Sequence, residues 1–147
     1  MKQADRNALL DWEKYRQDIM RATPVDKEMS VAERERHRLY LEAHPIEWIE
    51  YFFPNYAKYE FADFQKRAIR RLIANEEWYE VLSWSRELAK STITMFVVMY
   101  LTLTHRKRNV ILTSNSKDNA IRLLAPYRGN LEANGRIIAY YGRHQSI

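Results

Sequence analysis

The sequence predicts an α/β fold in which an α-helical N-terminal region precedes part of a parallel sheet. Residues 79–114 follow the order strand, loop, apolar helix and strand, which is typical of a βαβ unit. Only three glycines and four prolines are present, too few for an all-β fold with many turns. With 147 residues and 46% apolar content, the chain is long enough for one domain with a hydrophobic core.

Composition excludes several classes of protein. The chain has no cysteine, so disulfide frameworks and thiolate metal sites are excluded, and its four histidines lack the spacing of zinc ligands. The first ten residues mix polar and charged side chains, which is not the pattern of a secretory signal. The longest apolar run, residues 91–104, is shorter than the roughly 18 residues of a membrane span. We therefore expect no membrane partner.

Charge is distributed unevenly along the chain. Residues 1–60 carry 10 Lys and Arg against 12 Asp and Glu, whereas residues 61–147 carry 14 against 7. The second part, with its net charge of +7, suits a polyanion such as a nucleotide, DNA or RNA. The alternative is that these Lys and Arg residues form an ordinary solvated surface, which would give the same net positive charge.

Residues 1–44 are predicted to form a helical N-terminal extension. Apolar residues recur at helical spacing over residues 4–21, and Thr23-Pro24 ends that pattern. A second helix is expected from Ser30, where Ser30 and Glu33 have the spacing of a capping box, to about Ala43. Neither helix has enough apolar surface to stand alone, so we expect both to pack on another part of the chain or on a partner.

Residues 45–147 are predicted to form an incomplete ATPase domain. Its aromatic first part contains a short helix at 46–53 and another at 64–74, capped by Asp63. Strands are expected at 79–85 and 109–114, around a buried helix at 91–104, and residues 136–141 are also strand-like. A helix from about Ser116 follows, with Pro126 and Gly129 marking a bend or its end.

The loop between the first strand and the buried helix has the features of a phosphate-binding loop. A triphosphate site needs backbone N–H groups at a helix N-terminus, a lysine for the phosphates and a hydroxyl for magnesium. Lys90 and Ser91 supply the last two, although Trp84 and Ala89 stand where glycines are usual. This pattern predicts a partial P-loop NTPase parallel sheet that binds a nucleoside triphosphate and Mg²⁺. The alternative is an ordinary turn with an exposed lysine. The candidate cofactor-binding residues of the loop are Ser85, Arg86, Glu87, Leu88, Ala89, Lys90, Ser91 and Thr92.

The run from Glu80 to Thr92, followed by residues 109–116, resembles the terminase large subunits of tailed phages. These are ATP-driven motors that pump viral DNA into a capsid. The family tolerates a degenerate loop of the Ser-Arg-x-x-x-Lys-Ser/Thr kind, which matches the two absent glycines. Phe61-x-x-Phe64-Gln65 is similar to its adenine-recognition element. The resemblance covers roughly residues 45–142 and is most specific at 80–92.

The resemblance implies a role for individual residues. Lys90 would hold the β- and γ-phosphates, Ser91 would bind magnesium and Thr92 would lie beside them. Arg86 would be the catalytic arginine that stabilises charge in the transition state, and Gln65 would contact the adenine edge. Arg86 could instead pair with Glu87 on the surface, and Gln65 could be an ordinary exposed helix residue.

The resemblance also implies partners and a location. Double-stranded DNA, a portal protein and a small terminase subunit would be partners, and the family assembles into homo-oligomeric rings. The location would be the cytoplasm of a bacterial host, at the procapsid during packaging.

Other polar clusters have simpler explanations. Asn115, Ser116 and Asp118 are better explained as a helix cap than as a site. The basic cluster at 105–108 is expected to end the buried helix, where cations favour the helix dipole, with DNA contact as the alternative.

One motif needed for hydrolysis is absent from the sequence. No apolar run ends in Asp-Glu, the pattern that would position magnesium and the attacking water. We therefore expect a fragment of a packaging motor, without the Walker B motif and the nuclease domain, that binds ATP weakly without useful hydrolysis. Two alternatives stay open: a fragment of another nucleic-acid-dependent ATPase such as a helicase, and a non-enzymatic interaction module with a vestigial loop.

Overall fold

A computed structural model of the chain describes residues 2–56, 60–84 and 90–142. Within these ranges the fold is helical, with seven helices and no strand. The helices are α1 (Gln3–Ala22), α2 (Val31–Ala43), α3 (Pro45–Phe52), α4 (Asp63–Ala74), α5 (Lys90–Leu103), α6 (Lys117–Ala133) and α7 (Gly135–Tyr141).

The predicted α/β fold with a parallel P-loop sheet is wrong. Residues 79–84 and 109–114 are not helical, but neither segment pairs with another as a strand in the part of the chain that is described. A strand is stabilised by hydrogen bonds and side-chain pairs from a neighbouring strand, and two isolated strands are marginal in water. Here the apolar side chains of both segments largely face solvent: Tyr79 is 88% exposed and Ile111 86%.

The strand-like stretch at 136–141 is helix α7. The Asn134 side chain caps it by accepting a hydrogen bond from the Ile137 N–H at 3.1 Å. Ile137 and Tyr140, three residues apart, are both buried, so this stretch has the spacing of a helix face that packs on the core. The capping asparagine and this spacing favour helix over the β-branched character of the run.

The two N-terminal helices are confirmed. Helix α2 begins with the predicted capping box: Ser30 Oγ accepts from the Glu33 N–H at 3.1 Å, and Glu33 Oε2 accepts from the Ser30 N–H at 3.2 Å. Helix α1 packs against α6, as expected for a helix with too little apolar surface of its own. The contact is close at Gly129, where an added Cβ would lie 2.7 Å from Tyr15 Cε1. Any larger residue at position 129 would therefore displace the Tyr15 ring of α1.

The helices of the aromatic part are confirmed with small shifts. Helix α3 has Pro45 in its first turn, where the missing N–H costs nothing. Helix α4 begins at Asp63 itself, so the predicted cap at Asp63 is wrong by one residue and Ala62 is the N-cap. Gln65 Oε1 accepts from the Ala62 N–H at 2.9 Å, which is one of the two bonds of a capping box; the other bond needs a side-chain oxygen that alanine lacks.

Helix α5 forms the centre of the core. Of its 14 residues, seven are buried; Tyr100 contacts the Trp48 ring of α3, and Phe96 contacts the ring of Phe53, the residue after α3. Trp48 is completely buried, with its ring 5.2 Å from that of Tyr100, and its Nε1 donates to the Tyr141 hydroxyl at 2.9 Å. The predicted buried helix at 91–104 is thus confirmed, one residue earlier at each end.

The basic cluster after α5 ends the helix as predicted. His105 adopts a left-handed conformation, with φ of 61°, and the N–H groups of Arg106 and Lys107 donate back to the Leu101 carbonyl oxygen. The Arg106 guanidinium lies 5.1 Å from the Tyr100 ring centroid, and Lys107 Nζ donates to the Glu76 carbonyl oxygen at 2.6 Å. These cations therefore have structural partners in the protein.

Helix α6 continues through Pro126 and Gly129 to Ala133, so an end at either residue is wrong, and the alternative of a bend stays a prediction. Its second half is held by buried amides. Asn130 Nδ2 donates to the Pro126 carbonyl oxygen at 2.8 Å, and Asn134 Nδ2 donates to the Phe52 carbonyl oxygen at 2.6 Å. Packing against α1 and these bonds outweigh the local preference of proline and glycine to end a helix.

No helix within the described ranges is long and apolar enough to cross a bilayer.

Candidate functional site

A cavity of about 490 Å³ opens at the first turn of α5. It lies between that turn, the middle of α6 and the two non-helical segments that were predicted as strands. The described lining combines hydroxyl and cationic groups with apolar walls. The residues are Tyr56, Leu82, Lys90, Ser91, Thr92, Thr94, Met95, Leu112, Thr113, Arg122, Leu123, Pro126 and Tyr127.

The polar side of the cavity is the start of α5. Lys90, Ser91 and Thr92, three residues of the predicted loop, all line it. Thr94 Oγ1 donates to the Lys90 carbonyl oxygen at 2.8 Å, so its hydroxyl hydrogen is occupied within the helix. Backbone N–H groups in the first turn of a helix lack helical acceptors and carry partial positive charge. The lysine, the hydroxyls and the helix start together favour an anion.

The second cation of the cavity, Arg122, comes from α6. Neither Arg122 nor Lys90 forms an ion pair with a carboxylate among the described residues. Sequence reasoning missed Arg122 because it lies 32 positions after Lys90. The sequence does contain one indication of a shared surface. Arg122 is four residues before Pro126, and Leu123 is four residues before Tyr127, so each pair lies on one face of a helix.

The apolar walls of the cavity are held rigidly. The Tyr56 hydroxyl lies 2.8 Å from that of Tyr15 and accepts from Asn130 Nδ2 at 3.3 Å. Burial raises the pKa of Tyr15 and of Tyr127 above the usual value, so both phenols stay neutral at physiological pH. A flat apolar group next to an anion-binding end would therefore meet neutral aromatic and aliphatic surface.

The other five candidate residues of the predicted loop lie outside the described part of the chain. They are Ser85, Arg86, Glu87, Leu88 and Ala89, and this includes the proposed catalytic arginine. Their roles stay predictions. Trp84, at the end of the preceding segment, packs edge-on against Phe64 with ring centroids 5.0 Å apart.

Gln65, the predicted adenine contact, lies on α4 and is not part of the described cavity lining. Its amide oxygen caps α4 through the Ala62 N–H. A role in binding adenine would need this oxygen to be shared, and it stays a prediction.

The polar residues before α6 form the predicted cap. Ser116 Oγ accepts from the Asn119 N–H at 3.2 Å, and Asn115 Oδ1 accepts from Asn119 Nδ2 at 2.6 Å. Asp118 lies in the first turn, where its charge favours the helix dipole. This cluster stabilises the start of α6 and is not part of the cavity lining.

A metal site formed by protein side chains alone is not found: no three His, Cys, Asp or Glu residues cluster among the described residues. A magnesium ion carried by nucleotide phosphates needs fewer protein ligands. The assignment of Ser91 as such a ligand stays a prediction.

Comparison with known proteins adds no relative: no protein-family model matches the chain, and no curated protein or solved structure matches it significantly.

Proposed function

We propose that this chain binds ATP, carried with Mg²⁺, and that the triphosphate lies in the cavity at the first turn of α5. The observation that supports this most strongly is the convergence of Lys90, Ser91 and Arg122 on one cavity of about 490 Å³. The proposal depends on this cavity and not on a parallel sheet.

Each group has a defined task in this proposal. Lys90 is a compact charge suited to the β- and γ-phosphates, and Arg122 can hold a phosphate through two N–H donors. The exposed Ser91 hydroxyl coordinates the magnesium that the nucleotide carries. The adjoining wall of Tyr56, Leu112 and Tyr127 receives the apolar face of the nucleoside.

The biological setting of the proposal comes from the sequence resemblance to terminase large subunits. In that setting the chain is the ATP-binding part of a viral DNA-packaging motor, and double-stranded DNA is its second polyanion. The net charge of +7 in residues 61–147 suits both ligands. The sequence lacks an apolar run ending in Asp-Glu, so we propose binding without useful turnover.

Titration of the purified chain with a fluorescent ATP analogue and Mg²⁺ tests the proposal. We expect saturable binding, with Kd raised about tenfold or more by Lys90→Ala or by Arg122→Ala, because each substitution removes a charge-assisted contact of about 1.5–3 kcal/mol. Lys14→Ala and Arg6→Ala, at exposed positions of α1, are matched controls that should keep the parent affinity.

Two results would overturn the proposal. One is the absence of saturable binding by the parent chain, and the other is equal affinity in Lys90→Ala and Lys14→Ala. Phosphate release is measured on the same samples. Turnover that disappears in Lys90→Ala would contradict the part of the proposal that excludes hydrolysis.

A further inference from the structure

Two non-helical segments have unpaired backbone groups in the described chain and several exposed apolar side chains. In residues 78–84 and 109–113, no backbone N–H or C=O forms a hydrogen bond with another residue of the described chain. Val81 is 69% exposed, Val110 44% and Ile111 86%. Valine, isoleucine and threonine favour strands, so residues 109–113 combine β propensity with donors and acceptors that have no partner in the described chain.

A second, larger cavity lies beside residues 110–112. It has a volume of about 780 Å³, is open to solvent and lies between α5, α6 and this segment. Its floor is apolar, with Val98 and Leu103 from α5 and Leu124 from α6, and Arg108 and Lys117 also line it. A ligand with apolar side chains and negative charge would match this combination.

The charged residues that line this cavity, Arg108 and Lys117, are both cationic. Residues 105–117 contain Arg106, Lys107, Arg108 and Lys117 and no acidic residue. Two copies of the chain paired through this stretch would bring like charges together, which disfavours a self-complementary contact. An acidic partner would gain from the same arrangement.

We propose that residues 109–113 are a docking edge for a β-strand of a partner protein in which apolar and acidic residues alternate. Successive side chains of a strand point to opposite faces. The apolar set of the partner strand would fill the cavity between α5 and α6. Its acidic set would lie on the solvent side of the strand, where the long, exposed side chains of Arg108 and Lys117 can reach it. Its backbone would satisfy the free donors and acceptors of 109–113, which is the general mode of β-strand addition. This docking edge does not depend on nucleotide binding.

The experiment uses the full 147-residue chain and a fluorescently labelled nine-residue peptide in which valine and glutamate alternate. Binding is followed by fluorescence anisotropy at low and physiological salt. Two control peptides isolate the two parts of the proposal. In one, lysine replaces each glutamate; in the other, alternate backbone nitrogens are methylated so that strand pairing is blocked.

Substitutions on the protein locate the binding site. Ile111→Asp places a negative charge at the docking edge, whereas Val31→Asp makes the same kind of change at an equally exposed position, 85%, in the first turn of α2. Both positions face solvent, so both variants should fold. We expect saturable binding of the valine–glutamate peptide, weakened at least tenfold by Ile111→Asp, unchanged by Val31→Asp, and weakened by salt.

Several outcomes would overturn the proposal. These are no saturable binding of the valine–glutamate peptide, equal binding of the lysine peptide, or equal binding of the methylated peptide. A parent chain that elutes as a dimer, and that Ile111→Asp converts to a monomer, would show that the occupant is a second copy instead.

Discussion

The helical body and the two non-helical segments of this chain differ in how their polar and apolar groups are satisfied. In the body, a fully buried amide such as Asn134 uses both of its polar atoms, and Trp48 is enclosed by aromatic rings. In residues 78–84 and 109–113, backbone groups lack partners in the described chain and side chains such as Tyr79 and Ile111 are exposed.

This difference indicates that the helical body stabilises the fold and that the two non-helical segments are available for binding. Buried and fully bonded groups make the body cooperative, so single changes there cost several kcal/mol. Exposed segments with free backbone groups contribute little to folding and remain able to bind another molecule. Both cavities lie against these segments, through Leu82 and Leu112 in one case and Val110 to Leu112 in the other.

The largest effect is expected at Trp48. Trp48→Ala should lower the free energy of unfolding by about 3–5 kcal/mol, because it leaves a large cavity beneath Phe52 and Tyr100. The matched change is Trp78→Ala, at a tryptophan that is 51% exposed, and should cost within about 1 kcal/mol. Urea denaturation of both variants measures the two values. Similar losses at both positions would contradict the distinction between the two regions.

An intermediate effect is expected at the helix caps. Asn134→Ala should cost about 2–3 kcal/mol, because it removes the cap of α7 and leaves the buried Phe52 carbonyl oxygen without its donor. Ser116→Ala removes an exposed cap of α6 and should cost about 1 kcal/mol. Thermal unfolding of the two variants gives their order. A reversed order would mean that the start of α6 contributes more to the body than its exposure indicates.

The smallest effect is the pH dependence from His37. Its Nδ1 lies 2.6 Å from the Tyr140 hydroxyl, and burial lowers the pKa of His37 below the usual 6.5. As pH falls below about 6.5 the unfolded chain takes up this proton before the folded chain, so stability is present above that pH and declines below it. We expect His37→Gln to reduce the slope of stability between pH 7 and pH 5. An unchanged slope in this variant would assign the decline to other groups.

The sequence was informative for several helices that depend on local patterns, although the local cap of α7 at Asn134 was missed. The capping box at Ser30, the proline at the start of α3 and the apolar run of α5 each specify a helix through neighbours within four residues. Three residues of the predicted loop, Lys90 to Thr92, line the cavity for the same local reason, since they begin a helix.

What could not be predicted depends on distant residues. A strand needs a partner from elsewhere in the chain, and the pattern of residues 109–114 carries no information on whether that partner is present. Arg122 reaches the cavity only because α6 packs beside α5. Helix α6 continues past Gly129 because α1 packs against that glycine, which its local preference does not reveal.

We expect Pro126 to divide α6 into two parts that open separately. Because proline has no N–H, the Arg122 carbonyl oxygen lacks its helical donor, and the ladder is interrupted between the cavity side and the Asn130 side. Hydrogen–deuterium exchange should therefore be fast at residues 120–125 and slow at 129–133. A ligand in the cavity at Lys90 would contact Arg122 and Leu123, and we expect it to slow exchange in the first part alone. The exchange rates of the α6 amides would thus report where a ligand binds without any label on the chain.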